Sequence, residues 1–168
     1  MKTKIFCDIA DFKTIKFFNK KSIVDGFTTN PSLMRLAGAK NYKDYSLKIL
    51  KVCKKKPISF EVFADEPKEM LKQAYKINAW GKNVYVKIPV VNSKGLFMGS
   101  VIKNIEILWA STREAYNYIQ AKQLKCNIIT MPPKVINQIN SFGKSFQSMT
   151  TDTVKGFLKD SVKSKFKL

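Results

Sequence analysis

The sequence contains no histidine, only two arginines, only three cysteines and no long apolar run. Without histidine there can be no Ser-His or Cys-His nucleophile, no His-ligated metal and no histidine general base, so acid–base chemistry falls to carboxylates, lysine, tyrosine or water. No apolar segment approaches the length of a membrane span, and the N-terminal residues lead into a predicted strand rather than a signal peptide. We therefore expect no association with a membrane.

The cysteines Cys7, Cys53 and Cys126 are odd in number, widely spaced and set among apolar residues. This arrangement suits a reducing cytoplasm and matches neither a zinc site nor a disulfide framework. Glycine-rich fingerprints for dinucleotides or for a P-loop are also lacking. No metal and no organic cofactor is expected.

The net charge of +19 comes almost entirely from lysine, because Arg35 and Arg113 are the only arginines. The lysines are scattered along predicted helices rather than gathered in a stripe with interleaved aromatic residues, which does not favour specific nucleic-acid binding. The positive field attracts anionic metabolites such as phosphates in any case. The length and composition predict one domain over residues 1–168.

Short strand-like runs alternate with amphipathic helix-like runs along the whole chain. The pattern predicts strands at 4–7, 23–28, 58–63, 84–90, 105–109 and 127–130, and helices at 12–19, 42–53, 67–77, 98–103, 112–122, after 133 and at 153–165. Such alternation indicates a parallel sheet built from βαβ units. Polar residues follow several strands (Asp8, Asn30 and Ser111), which favours a barrel over a doubly wound sheet.

Lys87 stands in the run VYVKIPV at 84–90, where every neighbouring side chain is apolar or aromatic. The run reads as a strand buried on both faces. Burial would lower the pKa of the amine and make it a nucleophile suited to forming a Schiff base with a carbonyl substrate. The alternative is that Lys87 is one more solvated lysine of a lysine-rich chain.

The order of six motifs resembles that of transaldolases, and in particular the small group that includes fructose-6-phosphate aldolases. The motifs are FCDIA at 6–10, GFTTNPS at 26–32, ISFEV at 58–62, VKIP at 86–89, ASTR at 110–113 and ITMPP at 129–133. The resemblance implies a TIM-type (β/α) barrel of the class I aldolase kind. It also implies a Lys87 Schiff base that carries a dihydroxyacetone unit between sugar phosphates, as in the pentose phosphate pathway.

The resemblance also assigns roles to the other candidate residues. Asp8 would be the acid–base residue near the carbinolamine, with a helix cap or a lysine partner as the alternative role. Glu61, between two apolar residues, would have a raised pKa and would position a proton-transferring water; aldolases of the group tend to carry glutamine there. Thr29 and Asn30 would lie at the substrate, where Asn30 holds its hydroxyls or simply forms the turn. Ser111 and Arg113 would bind phosphate at the start of a helix.

The chain departs from the family in its length. A barrel of eight βα units takes about 200 residues or more, and only six strands are predicted here. Strands five and six, on the order of fifty residues with their helices, have no counterpart. The join falls near residues 103–105, and the groups that family members supply from those strands are missing: a threonine with an asparagine neighbour, an aromatic acid–base side chain and a second phosphate-binding arginine. We therefore expect an incomplete barrel of about six βα units.

Three functions remain open at this point. The first is a transaldolase-like enzyme, the second a non-catalytic remnant that binds sugar phosphate or a partner chain, and the third a basic nucleic-acid-binding protein. The C-terminal helix could support a homo-oligomeric ring or could pack on its own barrel. Its apolar residues are Val154, Phe157, Leu158 and Val162.

Overall fold

In the computed structural model, residues 2–99 and 106–164 are described, apart from the side chain of Phe146. The strands are β1 (Lys4–Asp8), β2 (Gly26–Thr28), β3 (Ile58–Glu61), β4 (Val84–Lys87), β5 (Leu108–Trp109) and β6 (Ile128–Met131). The helices are α1 (Phe12–Asn19), α2 (Pro31–Leu36), α3 (Tyr42–Val52), α4 (Pro67–Asn78), α5 (Tyr116–Gln123), α6 (Pro133–Ile139) and α7 (Phe146–Ser164).

The six strands form one sheet in the order β4-β3-β2-β1-β6-β5, and every pairing is parallel. This confirms the predicted parallel sheet of about six βα units. Strands β4 and β5 lie at the two edges of the sheet rather than beside each other. The sheet is therefore an incomplete barrel, open between the strands that flank the predicted join; the join itself, near residues 103–105, lies outside the described residues.

The sheet is strongly curled. Strands β1 and β4 are three positions apart, which in a flat sheet separates them by about 14 Å. Nevertheless the ring centroids of Phe6 on β1 and Tyr85 on β4 are only 5.9 Å apart. The Lys4 ammonium also lies over the Tyr85 ring, 5.8 Å from its centroid. These side chains meet on the concave inner face, as they would inside a barrel.

Gly26 permits this curl. It lies opposite Phe6 in the register between β1 and β2. A Cβ atom at position 26 would come within 2.6 Å of the Phe6 ring, closer than carbon atoms can approach without displacement. The inner face at this level is therefore filled by the Phe6 ring lying against the bare backbone of β2.

The outer face of the sheet forms much of the hydrophobic core. Alternate side chains along each strand point to opposite faces. The outward-facing residues of the four central strands are almost completely buried: Ile5, Cys7, Phe27, Ile58, Phe60, Ile129 and Met131. Helix α4 packs beside β4, and α3 contacts both α1 and α2.

Local signals explain several element boundaries. As predicted, Asp11 caps α1, where its Oδ1 accepts the N–H of Thr14 at 2.8 Å, and Pro67 is the first residue of α4. The turn predicted at 29–32 is instead the start of α2, because Asn30 caps a helix whose first residue is Pro31.

Other predictions about element ends were wrong. Strand β4 ends at Lys87 rather than at residue 90, and Pro89, which lacks an N–H, follows two residues later. Helix α7 begins at Phe146, earlier than the predicted residue 153. The helix predicted at 98–103 lies largely outside the described residues.

The expectation that the Lys87 strand is buried on both faces was also wrong. Only Val84 of β4 is buried, while the other three residues of the strand are half-buried. The reason is the position of the strand, because an edge strand has a neighbour on one side only.

The chain divides into two compact units, Met1–Ile136 and Asn137–Leu168. The first contains all six strands. In the second, the apolar residues Val154, Phe157, Leu158 and Val162 of α7 are exposed. A single domain over residues 1–168 stays a prediction. None of the helices in the described part of the chain combines the length and the apolar character that a membrane crossing requires.

The three thiols are free and differ in burial. Burial raises the pKa of Cys7 to about 12, and it raises the pKa of Cys53 as well, so both thiols are poor nucleophiles. We expect iodoacetamide at pH 8 to alkylate the half-buried Cys126 of the folded protein at least about tenfold faster than the other two cysteines. Peptide mass spectrometry measures the rates, and a denatured sample, in which all three react, is the control. Equal labelling of Cys7 in the folded protein would contradict the prediction.

Candidate active site at the carboxyl ends of the strands

Four neighbouring strands present polar side chains to the inner face near their carboxyl ends. The register pairs Asp8 with Thr28, Thr28 with Ser59, and Glu61 with Lys87. Residues paired across a parallel sheet point to the same face, and residues two apart on one strand do so too. The five side chains therefore share the concave face, at the edge where parallel α/β folds hold their active sites.

Lys87 and Glu61 form an ion pair across neighbouring strands. The Lys87 Nζ lies 3.4 Å from Glu61 Oε2, and the two side chains are 22% and 20% exposed. The amine is thus not surrounded by apolar side chains alone, as its sequence neighbours suggested. Its partner is the Glu61 carboxylate on the neighbouring strand.

Asp8 belongs to a hydrogen-bonded group deeper in the inner face. Its Oδ1 accepts the hydroxyl of Thr28 at 2.8 Å, and Thr28 also contacts the hydroxyl of Thr130 on β6. Both threonines are buried. The cap of the neighbouring helix is Asp11, so the alternative role of Asp8 as a helix cap is excluded.

The curl turns the inner faces of β1 and β4, which carry Asp8 and Lys87, toward each other. Phe6 and Tyr85, whose rings are 5.9 Å apart, stand two residues before Asp8 and Lys87 on the same face. Asp8 and Lys87 therefore lie on the carboxyl side of these rings. A lysine and two carboxylates share the concave face, with the aromatic rings of Phe6 and Tyr85 on their amino side.

Tyr42, at the start of α3, holds the backbone of Glu61 and was not predicted as a site residue. Its hydroxyl accepts the N–H of Glu61 and donates to the C=O of the same residue, both at 3.0 Å. The sequence showed Tyr42 only as the first residue of the predicted helix at 42–53. No side-chain pattern could have identified it, because both of its bonds go to main-chain atoms.

Thr29 and Asn30 follow directly after β2. Thr29 is fully buried, and its hydroxyl lies near that of Tyr42 without a hydrogen bond of good geometry to any described residue. Asn30 is half-buried, and its Oδ1 accepts the N–H of Leu33 at 2.8 Å. The helix-capping role of Asn30 is therefore present in the structure beside any contact with substrate.

Ser111 and Arg113 are exposed and do not lie at a helix start as expected, because α5 begins only at Tyr116. Ser111 has a φ of 61°, a left-handed conformation uncommon for a residue with a side chain. Between them, the buried Thr112 donates its hydroxyl to the C=O of Thr130 at 2.7 Å. The side chain of Asn117 accepts the N–H of Arg113 at 3.2 Å. These bonds fix the loop to β6 and to the first turn of α5.

The loop after β4, residues 88–99, is fastened beside the site by Asp65. The carboxylate of Asp65 accepts both the N–H and the hydroxyl of Ser93 at 2.7 Å. Lys94 contacts Glu66 at 2.8 Å. The chain that leaves Lys87 is therefore tied to the segment that precedes α4.

Comparison with known proteins points to one family. The family model described as Transaldolase/Fructose-6-phosphate aldolase matches residues 5–99. A protein of Dehalococcoides mccartyi named "Probable transaldolase" is 42% identical over 86 residues, which are 51% of this chain and 40% of that protein. One of the same name from Methanococcus vannielii is 39% identical over 89 residues, 52% of this chain and 40% of that protein. The chain thus spans about two fifths of the length of these relatives.

A third relative aligns along nearly the whole chain. The "Probable transaldolase" of Nitrosopumilus maritimus is 27% identical over 215 positions, which cover 94% of each protein. Since 94% of 168 residues is about 158, about 57 of the 215 aligned positions have no residue in this chain. This deficit is about the size of two βα units.

The Asp65 contacts predict a loop that loosens in acid. Hydrogen bonds from the backbone and hydroxyl of Ser93 hold the pKa of Asp65 below its ordinary value. Because the folded pKa is the lower one, the stabilisation is present above the unfolded pKa and is lost as the pH falls through the folded pKa. We expect amide exchange in residues 92–97, corrected for intrinsic rates, to rise below about pH 4. Mass spectrometry measures it, and the same rise in Asp65→Asn would contradict the assignment.

Proposed function

The chain belongs to the transaldolase/fructose-6-phosphate aldolase family, and on this premise we propose that it transfers a dihydroxyacetone unit between sugar phosphates through a Schiff base at Lys87. The observation that carries the proposal is the Lys87–Glu61 pair, 3.4 Å apart on the inner face at the carboxyl ends of the strands. Such a site combines an amine nucleophile with a base that can take its proton. The proposed setting is carbohydrate metabolism of the pentose phosphate type in the cytoplasm.

The reaction begins with attack of the Lys87 amine on the ketose carbonyl. Glu61, directly or through a water, accepts the proton that the ammonium must release. The new C–N bond forms as the carbonyl electrons move to oxygen, which takes up the proton that Glu61 accepted. The nitrogen then gives its extra proton to the Asp8 carboxylate, which passes it to the new hydroxyl, so that the oxygen leaves as water and the iminium ion remains.

The iminium ion then accepts electrons from the breaking carbon–carbon bond. The bond between the α and β carbons cleaves, its electron pair forms an enamine, and the β-hydroxyl gives its proton to the Asp8 carboxylate. The resulting aldehyde leaves as an aldose phosphate. The enamine attacks the carbonyl carbon of an acceptor aldehyde, and water then releases the new ketose phosphate by the reverse steps.

Substrate binding falls to residues around the rim of the site. Asn30 has an amide group for the sugar hydroxyls, and the buried Thr29 directly precedes it in the chain. Arg113 and Ser111, both exposed beyond β5, provide a guanidinium and a hydroxyl for the phosphate group. The net charge of +19 draws such anions toward the protein.

A second candidate function is binding without complete turnover. It is favoured by the open sheet, in which β4 and β5 are edges rather than joined through further strands. The acid–base and phosphate-binding groups that the family carries on strands five and six have no counterpart in this sequence. Each missing group could cost a factor of about 100 or more in rate. Such a chain would bind sugar phosphate or a partner chain without transferring the dihydroxyacetone unit.

Trapping with borohydride tests the proposal. Incubation with fructose 6-phosphate followed by reduction should leave a three-carbon adduct on the unmodified protein and none on Lys87→Ala, since only the imine is reduced to a stable amine. Lys94→Ala is the matched control, because Lys94 also pairs with a glutamate but lies exposed at the surface. Intact mass and peptide mapping measure the adduct and its position.

The outcomes separate the candidates. A three-carbon adduct at Lys87 supports the transfer mechanism, because carbon–carbon cleavage must precede trapping. A six-carbon phosphate adduct at Lys87 supports imine formation without cleavage and favours the second candidate. Absence of any adduct at Lys87 in a folded sample contradicts the Schiff-base proposal.

Glu61 has its own prediction. Replacing it by glutamine removes the base beside the amine, so the initial rate of trapping should fall about 100-fold. Glu66→Gln, at the exposed pair with Lys94, should leave the rate unchanged. A time course of borohydride quenching measures both rates, and equal rates for the two variants would exclude Glu61 from proton transfer.

A further inference from the structure

We propose that Tyr42 is a positioning residue for proton transfer at Lys87, acting through the backbone of Glu61. The inference rests on the proposed Schiff-base function for its catalytic consequence. The contact itself is independent of that function. Tyr42 belongs to α3, on the other side of Glu61 from the strand that carries Lys87.

The Tyr42 hydroxyl takes the place of a missing strand neighbour. In a parallel sheet the N–H and C=O of one residue point to the same side, and successive residues alternate sides. Val62 donates its N–H to Lys87 on β4, so the N–H and C=O of Glu61 point toward β2. The last bond from β2 is that of the Thr29 N–H to Ser59. Two residues further along β3, the hydroxyl of Tyr42 bonds both the N–H and the C=O of Glu61.

The tyrosine ring is held on two sides. Its centroid lies 5.3 Å from that of Phe63 in an edge-on contact and 6.0 Å from that of Trp80. Its backbone is the first residue of α3, fixed by the cap in which Asn41 Oδ1 accepts the N–H of Asp44 at 3.0 Å. Because its ring and its helix are both fixed, the Tyr42 hydroxyl restrains the end of β3.

Tyr42 positions the Glu61 carboxylate and does not itself transfer a proton. Burial raises the pKa of Tyr42 to about 12, against the lowering effect of its bond to the Glu61 backbone. The hydroxyl therefore stays protonated throughout the neutral range and remains a donor to the Glu61 C=O. What it controls is the place of the Glu61 carboxylate, 3.4 Å from the amine, where a displacement of about 1 Å can cost about 100-fold in rate.

The test compares two Tyr→Phe variants on one helix. Tyr42→Phe keeps the ring and removes the hydroxyl from Glu61. Tyr45→Phe is the matched control, because the Tyr45 hydroxyl is also bonded to main-chain atoms. It lies 3.2 Å from the C=O of Ala10 and 3.2 Å from that of Ala37. The first readout is the rate at which N-hydroxysuccinimidyl acetate acetylates Lys87, followed by peptide mass and needing no sugar.

We expect Glu61→Gln and Tyr42→Phe each to raise acetylation of Lys87 several-fold, because each takes away the carboxylate that holds the ammonium. Imine trapping slows in the same variants, because it also needs the proton transfers through which the carbinolamine loses water, and acetylation does not. Tyr45→Phe should leave the rate unchanged. The double variant Tyr42→Phe with Glu61→Gln should match Glu61→Gln alone, since a residue that acts through Glu61 has no effect once the carboxylate is gone. Additive effects, or a Tyr42→Phe rate equal to that of the unmodified protein, would overturn the proposal.

A second readout uses the sugar and keeps the two proposals apart. Trapping with fructose 6-phosphate should slow at least tenfold in Tyr42→Phe and not in Tyr45→Phe. If the unmodified protein forms no adduct, the Schiff-base function fails while acetylation still decides the role of Tyr42.

If Tyr42→Phe does not fold, Phe63→Leu replaces it, because this substitution loosens the packing of the Tyr42 ring and keeps the Tyr42 hydroxyl. Phe63→Leu should then raise acetylation less than Glu61→Gln and add nothing to it.

Discussion

A lysine on the inner face of a curled sheet is stabilised by a nearby carboxylate, because the sheet partly withdraws its ammonium from water. Lys4 and Lys87 are both paired in this way. Lys4 at the amino end contacts Glu106, a bond that raises the pKa of Lys4, and Lys87 at the carboxyl end contacts Glu61. The second pair joins β3 and β4 where Glu61 lies opposite Lys87 in the register. The same interaction therefore stabilises the edge of the sheet and assembles the proposed chemistry.

Much of the fold follows from local signals. Alternating apolar runs predict the parallel strands, and Asp11 and Pro67 mark helix starts correctly because capping depends on a few adjacent residues. The sequence predictions are wrong where contacts with residues distant in the chain determine the local structure. The strand of Lys87 reads as fully buried, yet its exposure depends on which strands lie beside it, and the sequence of the strand does not contain that information. The start of α2 was missed because a turn and a capped helix begin with the same residues.

The candidate site was predicted in part. Asp8, Glu61 and Lys87 were named from motifs, and the register brings them to one face. The pairing of Lys87 with Glu61 could not be predicted from the apolar run around the lysine, since the partner comes from a strand more than twenty residues earlier. Tyr42 was missed for a related reason. Its role lies in two hydrogen bonds to main-chain atoms, and main-chain atoms leave no trace in side-chain patterns.

The contact between Gly26 and Phe6 has a mechanical consequence. Position 26 has room for no carbon beyond Cα while the Phe6 ring occupies the inner face. A side chain there requires the Phe6 ring to move, and that ring lies 5.9 Å from the ring of Tyr85 on β4. The glycine therefore bears on the curvature of the sheet just below Asp8 and Lys87. A substitution at position 26 would thus act on the site through the shape of the sheet, with Asp8 and Lys87 themselves unchanged.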